Sequence, residues 1–272
     1  MNLINLNQIQ SNYIIKQHSN NNFEYPNSFT SLLSEYGIRV SDQIWASLNR
    51  GKAILQNEDQ LSQYLCSFGK SHHKKLQDAY IQLFKDLAKN PQFDNSAQIE
   101  IIDYGCGQGI ASYILLNELN IIDFPIENIS KITLIEPSKV ALERADFFLK
   151  KSTKIVKINK YLNDINTDDI KTSDNSIKIH LFSNILDMAV ENEPGKDFSI
   201  ETLAKSIKLS QSKENYFVCV SVRNRENLDE FAENIMEVKL QNIKFISINN
   251  ESIRRGQYPS WHRVHKIFKK RF

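Results

Sequence analysis

The run QIEIIDYGCGQGIASYILL, residues 98–116, changes character twice within a few residues. Gln98 to Tyr104 is short, apolar and rich in isoleucine, which is the pattern of a buried strand. Gly109 to Leu119 is longer and apolar enough for a buried helix. Gly105, Gly107 and Gly109 stand between them. Glycines let the backbone turn sharply and leave no Cβ in the way of a ligand. The helix that follows aims free N–H groups and its positive dipole end at the same place. Strand, glycine turn and helix in this order predict a ligand bound at the turn.

The alternation continues to the C-terminus. Lys131–Glu136, Ile155–Ile158, Ser176–Phe182 and Tyr216–Val222 read as strands. Ser138–Leu149, Ile200–Leu209 and Leu228–Val238 read as helices between them. Ile243–Ile248 and Val264–Phe268 read as two last strands. Only the Gly/Pro-bearing loop Asn249–Trp261 joins these two, so they should run antiparallel. The expected fold is α/β, with a mostly parallel seven-stranded sheet, helices on both faces and a C-terminal antiparallel strand pair.

Upstream, the pattern is helical. Leu32, Leu33 and Tyr36, then Ile44 and Leu48, then Leu61, Tyr64 and Leu65 recur at helical spacing. Leu76, Tyr80, Leu83, Phe84 and Leu87 follow a 3.6-residue period most closely. Ser41 and Asp42 are candidates for an N-cap. Pro91 ends the block, because it disfavours helix at Asn90. Residues 1–95 are therefore expected to form a helical cap region, with 1–30 as a loose Asn-rich arm, and residues 96–272 the α/β domain.

Composition sets the frame. The 272 residues are 41% hydrophobic and 24% charged, which excludes wholesale disorder. The net charge of +2 does not mark a nucleic-acid binder. Cys66, Cys106 and Cys219 lack metal-ligand spacing, and so odd and scattered a set suits a reducing cytoplasm. No apolar run approaches a membrane span, and the first residues lack the pattern of a secretory signal.

The chemistry gathers around the glycines. About 30 residues on, the second strand ends in Glu136, whose carboxylate can accept from both hydroxyls of an adenosine ribose. Each such charge-assisted bond is worth about 1.5–3 kcal/mol. Dinucleotide sites favour a third glycine three positions after the second, where this chain has Ile110. Asp103, two residues before the first glycine, suits a cationic ligand better than a pyrophosphate. S-adenosyl-L-methionine carries both an ammonium and a sulfonium group.

With IIDYGCGQG at 101–109 and TLIEPS at 133–138, the chain resembles the class I, Rossmann-like S-adenosylmethionine-dependent methyltransferases. Asn163-Asp164, the strand IHLFSN at 179–184 and the terminal strand pair add to the resemblance, which spans about residues 97–272. It implies that Asp103 and Gly105, Cys106, Gly107, Gln108 and Gly109 hold the methionine part. It implies that Glu136 holds the ribose, and that Asp164, Asp168 or Asp169 faces the adenine amine. Ser183 and Asn184 would lie at the pocket mouth, and Tyr104, Pro137 and Ile165 complete the implied set.

The implied reaction is direct displacement at the methyl carbon, where the protein mainly aligns nucleophile, methyl and sulfur. The acceptor stays open among RNA, a protein and a small molecule. After the fourth strand stands SNILD rather than the Pro-Pro motif of base-amine methylating enzymes, and no cysteine is placed for pyrimidine C5 chemistry. A binding protein without turnover is the alternative, and a nicotinamide-dependent oxidoreductase a weaker one.

Four further features have two readings each. Asp187 is a helix cap, or a base near the transferred methyl, with the cap favoured. His180 is a core histidine in preference to a catalytic one. YLCSFGKSHHKKLQDAY, residues 64–80, is either a cap that brings His72 or His73 to the substrate or a solvated cationic turn at Gly69. The C-terminal stretch carries Lys244, Arg254, Arg255, Arg263, Lys266, Lys269, Lys270 and Arg271 against Glu251 alone, with Tyr258 and Trp261 among them. It is an RNA-binding edge, or a last strand with its charges at the solvent end.

Overall fold

The computed structural model describes residues 42–94, 96–149, 154–189, 198–221, 225–255 and 258–272. The expected arm at 1–30, the positions Leu32, Leu33 and Tyr36, and the cap at Ser41 lie outside them.

Seven strands form one sheet. They are β1 (Ile99–Tyr104), β2 (Ile129–Ile135), β3 (Ile155–Ile158), β4 (Ile177–Ser183), β5 (Glu214–Ser221), β6 (Ser247–Arg255) and β7 (Tyr258–Arg271). Their order is β3-β2-β1-β4-β5-β7-β6. The first five are parallel, and β7 runs antiparallel to both β5 and β6. This is the expected α/β sheet with its antiparallel end.

The helices described are α1 (Asp42–Ser47), α2 (Glu58–Tyr64), α3 (Lys70–Leu87), α4 (Ile110–Ile121), α5 (Lys139–Leu149), α6 (Ile200–Ser210) and α7 (Arg225–Met236). Strand alternation sorts the core into two layers. Ile99 and Ile101 of β1 face the layer that contains α3, α4 and α5. Ile102 and Tyr104 face the layer that contains α6 and α7. All six residues of β1 are buried, as a strand covered on both faces must be.

The N-terminal helices pack into the same core. Leu76, Tyr80, Leu83 and Leu87 of α3 share one apolar cluster with Ile101, Ile179 and Ile267 of the sheet. The Tyr80 hydroxyl donates to the Ala111 carbonyl at 2.9 Å. Residues 64–80 do not form a solvated turn. A π-helical segment, Leu65–Gly69, carries α2 directly into α3, and Gly69 has helical backbone angles. His72 and Lys75 are buried, while Lys74 is exposed and pairs with Asp78 at 3.2 Å.

The C-terminal pair is longer than its pattern suggested. Leu240–Asn242 is a 3-10 turn, β6 starts only at Ser247, and the expected loop 249–261 is mostly strand. Asn249, Asn250 and Glu251 break the apolar alternation that marks a strand, and Pro259 sits near the start of β7, where a missing N–H is tolerated. The side chains of Arg254, Arg255, Tyr258, Trp261 and Arg263 lie outside the described ones. Lys266 pairs with Asp229, Lys269 with Asp86 at 3.3 Å, and Lys270 donates to the Met236 carbonyl at 3.4 Å. Alternation along β7 places Lys266 and Lys270 on one face and Lys269 on the other, so these three cations do not form a single stripe. Among the described residues no helix is long and apolar enough to cross a membrane.

Candidate functional site

Chain order reverses on either side of β1, between β2 and β4, and ligands of parallel sheets gather beyond the strand ends at such a point. A cavity of about 310 Å³ opens there. Gly105, Gly107 and Gln108 line it after β1, Glu136 and Pro137 after β2, Asn163 and Asp164 after β3, and Ser183, Asn184 and Ile185 after β4. The glycine turn needs its glycines. Gly105, Gly107 and Gly109 have φ of 63°, 53° and 76°. A Cβ on Gly107 would meet nothing within 4 Å, so the loop leaves open space above its middle glycine.

Glu136 is 8% exposed and held from both sides. Its Oε2 accepts from the Gly107 amide at 2.9 Å, and its Oε1 from the Ser138 amide at 2.9 Å. Each carboxylate oxygen can accept a second bond from a ligand hydroxyl. Burial pushes its pKa up to about 7, against the pull of the two amides. Asp103 lies on the α4 face of β1, below the loop. Its Oδ2 accepts from the Ser112 hydroxyl at 2.7 Å and the Ser112 amide at 3.2 Å. Its Oδ1 is buried with no hydrogen-bond partner among the described residues. Burial raises Asp103 to about 6.

Of the residues the resemblance implied, Asp103, Tyr104, Cys106, Gly109 and Ile165 stand behind the cavity wall. Tyr104 stacks on Phe182 and bonds His180, and Ile165 belongs to the same apolar layer. Among the three candidate acids, Asp164 lines the cavity. Asp169 is occupied by Lys160 at 2.8 Å and by the Asn166 amide.

Sequence patterns missed the N-terminal wall, Gly51 to Leu55 with Tyr64. Glycine-loop and β2-end residues hold this segment in place. Ser138 donates its hydroxyl to the Leu55 carbonyl, and Gln108 donates its amide to the Leu61 carbonyl at 2.9 Å. Arg144 of α5 pairs with Glu58. Met188 and Phe198 add apolar surface beyond β4.

Asp187 does not cap the next described helix. It lies in the 3-10 turn Leu186–Met188 and accepts from Ser221, while Ser199 caps α6 by accepting from the Thr202 amide. His180 is a core residue, as expected. It is fully buried between Tyr104 and Phe217, bonds Asn215 at 3.0 Å, and is pushed down to about 4 by burial. Burial also raises the Cys106 and Cys219 thiols, so neither is a ready nucleophile.

The raised Glu136 carboxyl has a thermodynamic consequence. Its pKa of about 7 in the folded chain exceeds the ordinary 4.5, so the folded state holds this proton more tightly. Stability from this group is therefore present at low pH and declines as pH rises from 4.5 through about 7. His72, His180 and His265 are shifted down and act in the opposite direction. The difference isolates the carboxyl. In urea unfolding, wild type minus Glu136→Gln should fall by up to about 1.4 kcal/mol per pH unit across that window. A pH-independent difference would contradict the buried, protonated state.

No protein-family model and no curated protein matches the chain. Solved structures do. The N-methyltransferase NodS from Bradyrhizobium japonicum, in complex with S-adenosyl-L-homocysteine, aligns with a TM-score of 0.51 at 16% identity, over 84% of this chain and 99% of that one. The plantazolicin methyltransferase BpumL, in complex with SAH, aligns with a TM-score of 0.49 at 14% identity, over 85% and 99%. At such identities the likeness is one of fold. The chain has the class I, Rossmann-like fold of S-adenosylmethionine-dependent methyltransferases.

Proposed function

We propose that this protein is an S-adenosylmethionine-dependent methyltransferase. The observation that carries the reading is Glu136 at the end of β2, with both oxygens turned by backbone amides beside a glycine turn with open space over it. That pair of acceptors suits the two hydroxyls of a ribose. Asp164, which lines the cavity after β3, would face the adenine amine. Asp103, buried below the loop with one oxygen unpartnered among the described residues, adds negative potential where an ammonium and a sulfonium group would lie.

When bound, the cofactor supplies an electrophilic methyl group, and the chain's own residues position it and keep water away. Gly105, Gly107 and Gln108 form the floor. The 51–55 segment, tied down through Ser138 and Gln108, forms the roof. Ile185, Met188 and Phe198 give the β4 side an apolar wall suited to an acceptor, and Tyr64 adds an aromatic ring from the N-terminal wall. The reading rests on this pocket rather than on the basic tail, where Lys266, Lys269 and Lys270 already have partners.

Calorimetric titration tests it. S-adenosylmethionine and S-adenosylhomocysteine should both bind with affinities on the order of micromolar, while NADH should give no heat. Absence of binding by either adenosyl ligand would overturn the reading.

A further inference from the structure

We propose that the acceptor is a small apolar molecule with a carboxylate, and that Lys52 binds this carboxylate at the mouth of the cavity. The inference rests on the cofactor reading above and names the substrate class of the same site. Lys52 lies in the roof and is the one cation among the described residues that line the cavity. It is exposed, and its ammonium has no hydrogen bond or ion pair among the described residues.

The turn that carries Lys52 is fixed. Asn49 and Gly51 have φ of 43° and 88°, which folds the chain back tightly. The Gly51 and Ala53 amides donate to the Leu48 carbonyl at 2.8 and 3.2 Å, and the Lys52 amide donates to the Asn49 carbonyl at 3.1 Å. Leu48 is fully buried and shares an apolar cluster with Leu55 and Leu61. A Cβ on Gly51 would lie 3.4 Å from the Phe68 ring and 3.5 Å from the Tyr64 ring. Lys52 thus leaves the roof beside Tyr64, while Leu55, at the other end of the roof, is held by Ser138 after β2.

Charge divides the cavity. Its two acids, Glu136 and Asp164, follow β2 and β3, and the cofactor reading assigns them to ribose and adenine. Beyond β4 the described lining has no acid: Ile185, Met188 and Phe198 are apolar, and Ser183 and Asn184 are neutral. A cationic acceptor would find no counter-charge there and would be repelled by the sulfonium. An anion would be attracted by both the sulfonium and Lys52. A single ammonium is a compact point charge, which balances a carboxylate rather than a phosphate dianion. The apolar wall favours an apolar body behind that carboxylate.

Two probes isolate the charge. 2-Naphthoate and 2-naphthamide share one apolar body, and only the first is an anion. Titrated into the wild-type complex with S-adenosylhomocysteine, naphthoate should bind about 5- to 10-fold more tightly, and the preference should shrink as salt is raised. Lys52→Met should abolish the preference and leave the affinities for naphthamide and S-adenosylhomocysteine unchanged. Met188→Asp should weaken both probes, which places them against the wall beyond β4. Equal binding of the two probes by wild type, binding of neither, or a preference that survives Lys52→Met would overturn the proposal. So would a parallel loss of S-adenosylhomocysteine affinity in Lys52→Met, because Lys52 would then serve the cofactor's own carboxylate. Wild type that fails to bind S-adenosylhomocysteine would remove the cofactor reading itself, and this one with it.

Discussion

Glu136→Ala is expected to lower S-adenosylmethionine affinity about 100-fold, since two charge-assisted bonds at the low end of their range amount to about 3 kcal/mol. The loss has a second component. Without the carboxylate, the Gly107 and Ser138 amides lose the acceptor they now share, and the loop keeps only the bond from the Cys106 amide to the Ile135 carbonyl at the end of β2. The effect should depend on pH. Burial pushes Glu136 up to about 7, and a protonated carboxyl accepts poorly from a second hydroxyl. Wild-type affinity should therefore fall as pH drops below about 7, by up to tenfold per unit. Glu136→Ala should not show this dependence on its own account. Calorimetry across that range checks both statements, and a variant that binds like wild type at neutral pH would remove Glu136 from the site.

Glu136 and the glycines were legible because their signals are local. An apolar run that ends in an acid, and a strand that breaks at Gly105, need no knowledge of distant residues. Asp103 shows the limit. Its position two residues before a glycine is plain in the sequence, yet strand alternation turns it to the α4 face, where Ser112 takes one oxygen. The wall at 51–55 left no signal, because irregular segments have no period. Only the fold brings Leu55 to Ser138 and Leu61 to Gln108. Residues 64–80 were ambiguous for a related reason. Gly69 reads as a break, but the π-helical segment absorbs it and delivers Lys75 to Asn184, 109 positions away. Asp187 resembled a cap because acids often are caps. Its partner, Ser221, lies at the end of another strand.

Gly109→Ala should cost more stability than its size suggests. Gly109 has a φ of 76°, where a side chain costs about 1–2 kcal/mol. A Cβ there would also lie 3.0 Å from the Ala145 Cβ and 3.2 Å from its Cα, on α5. Overpacking of that kind costs about 1–3 kcal/mol, so the sum is about 2–5 kcal/mol. The sequence motif suggests that the third glycine serves the ligand. The structure gives it a different task, since Gly109 is behind the cavity wall and lets the start of α4 approach α5. A double-mutant cycle separates the two costs. Ala145→Gly removes the nearer clash and should recover part of the packing loss, since the contact with the Cα of residue 145 remains and a glycine inside α5 costs about 1 kcal/mol by itself. The backbone strain should remain, because it belongs to position 109 alone. Urea midpoints of the four proteins measure the coupling. Strict additivity would show that α4 and α5 are not in contact at this glycine, and that the spacing of the motif has its origin in the ligand after all.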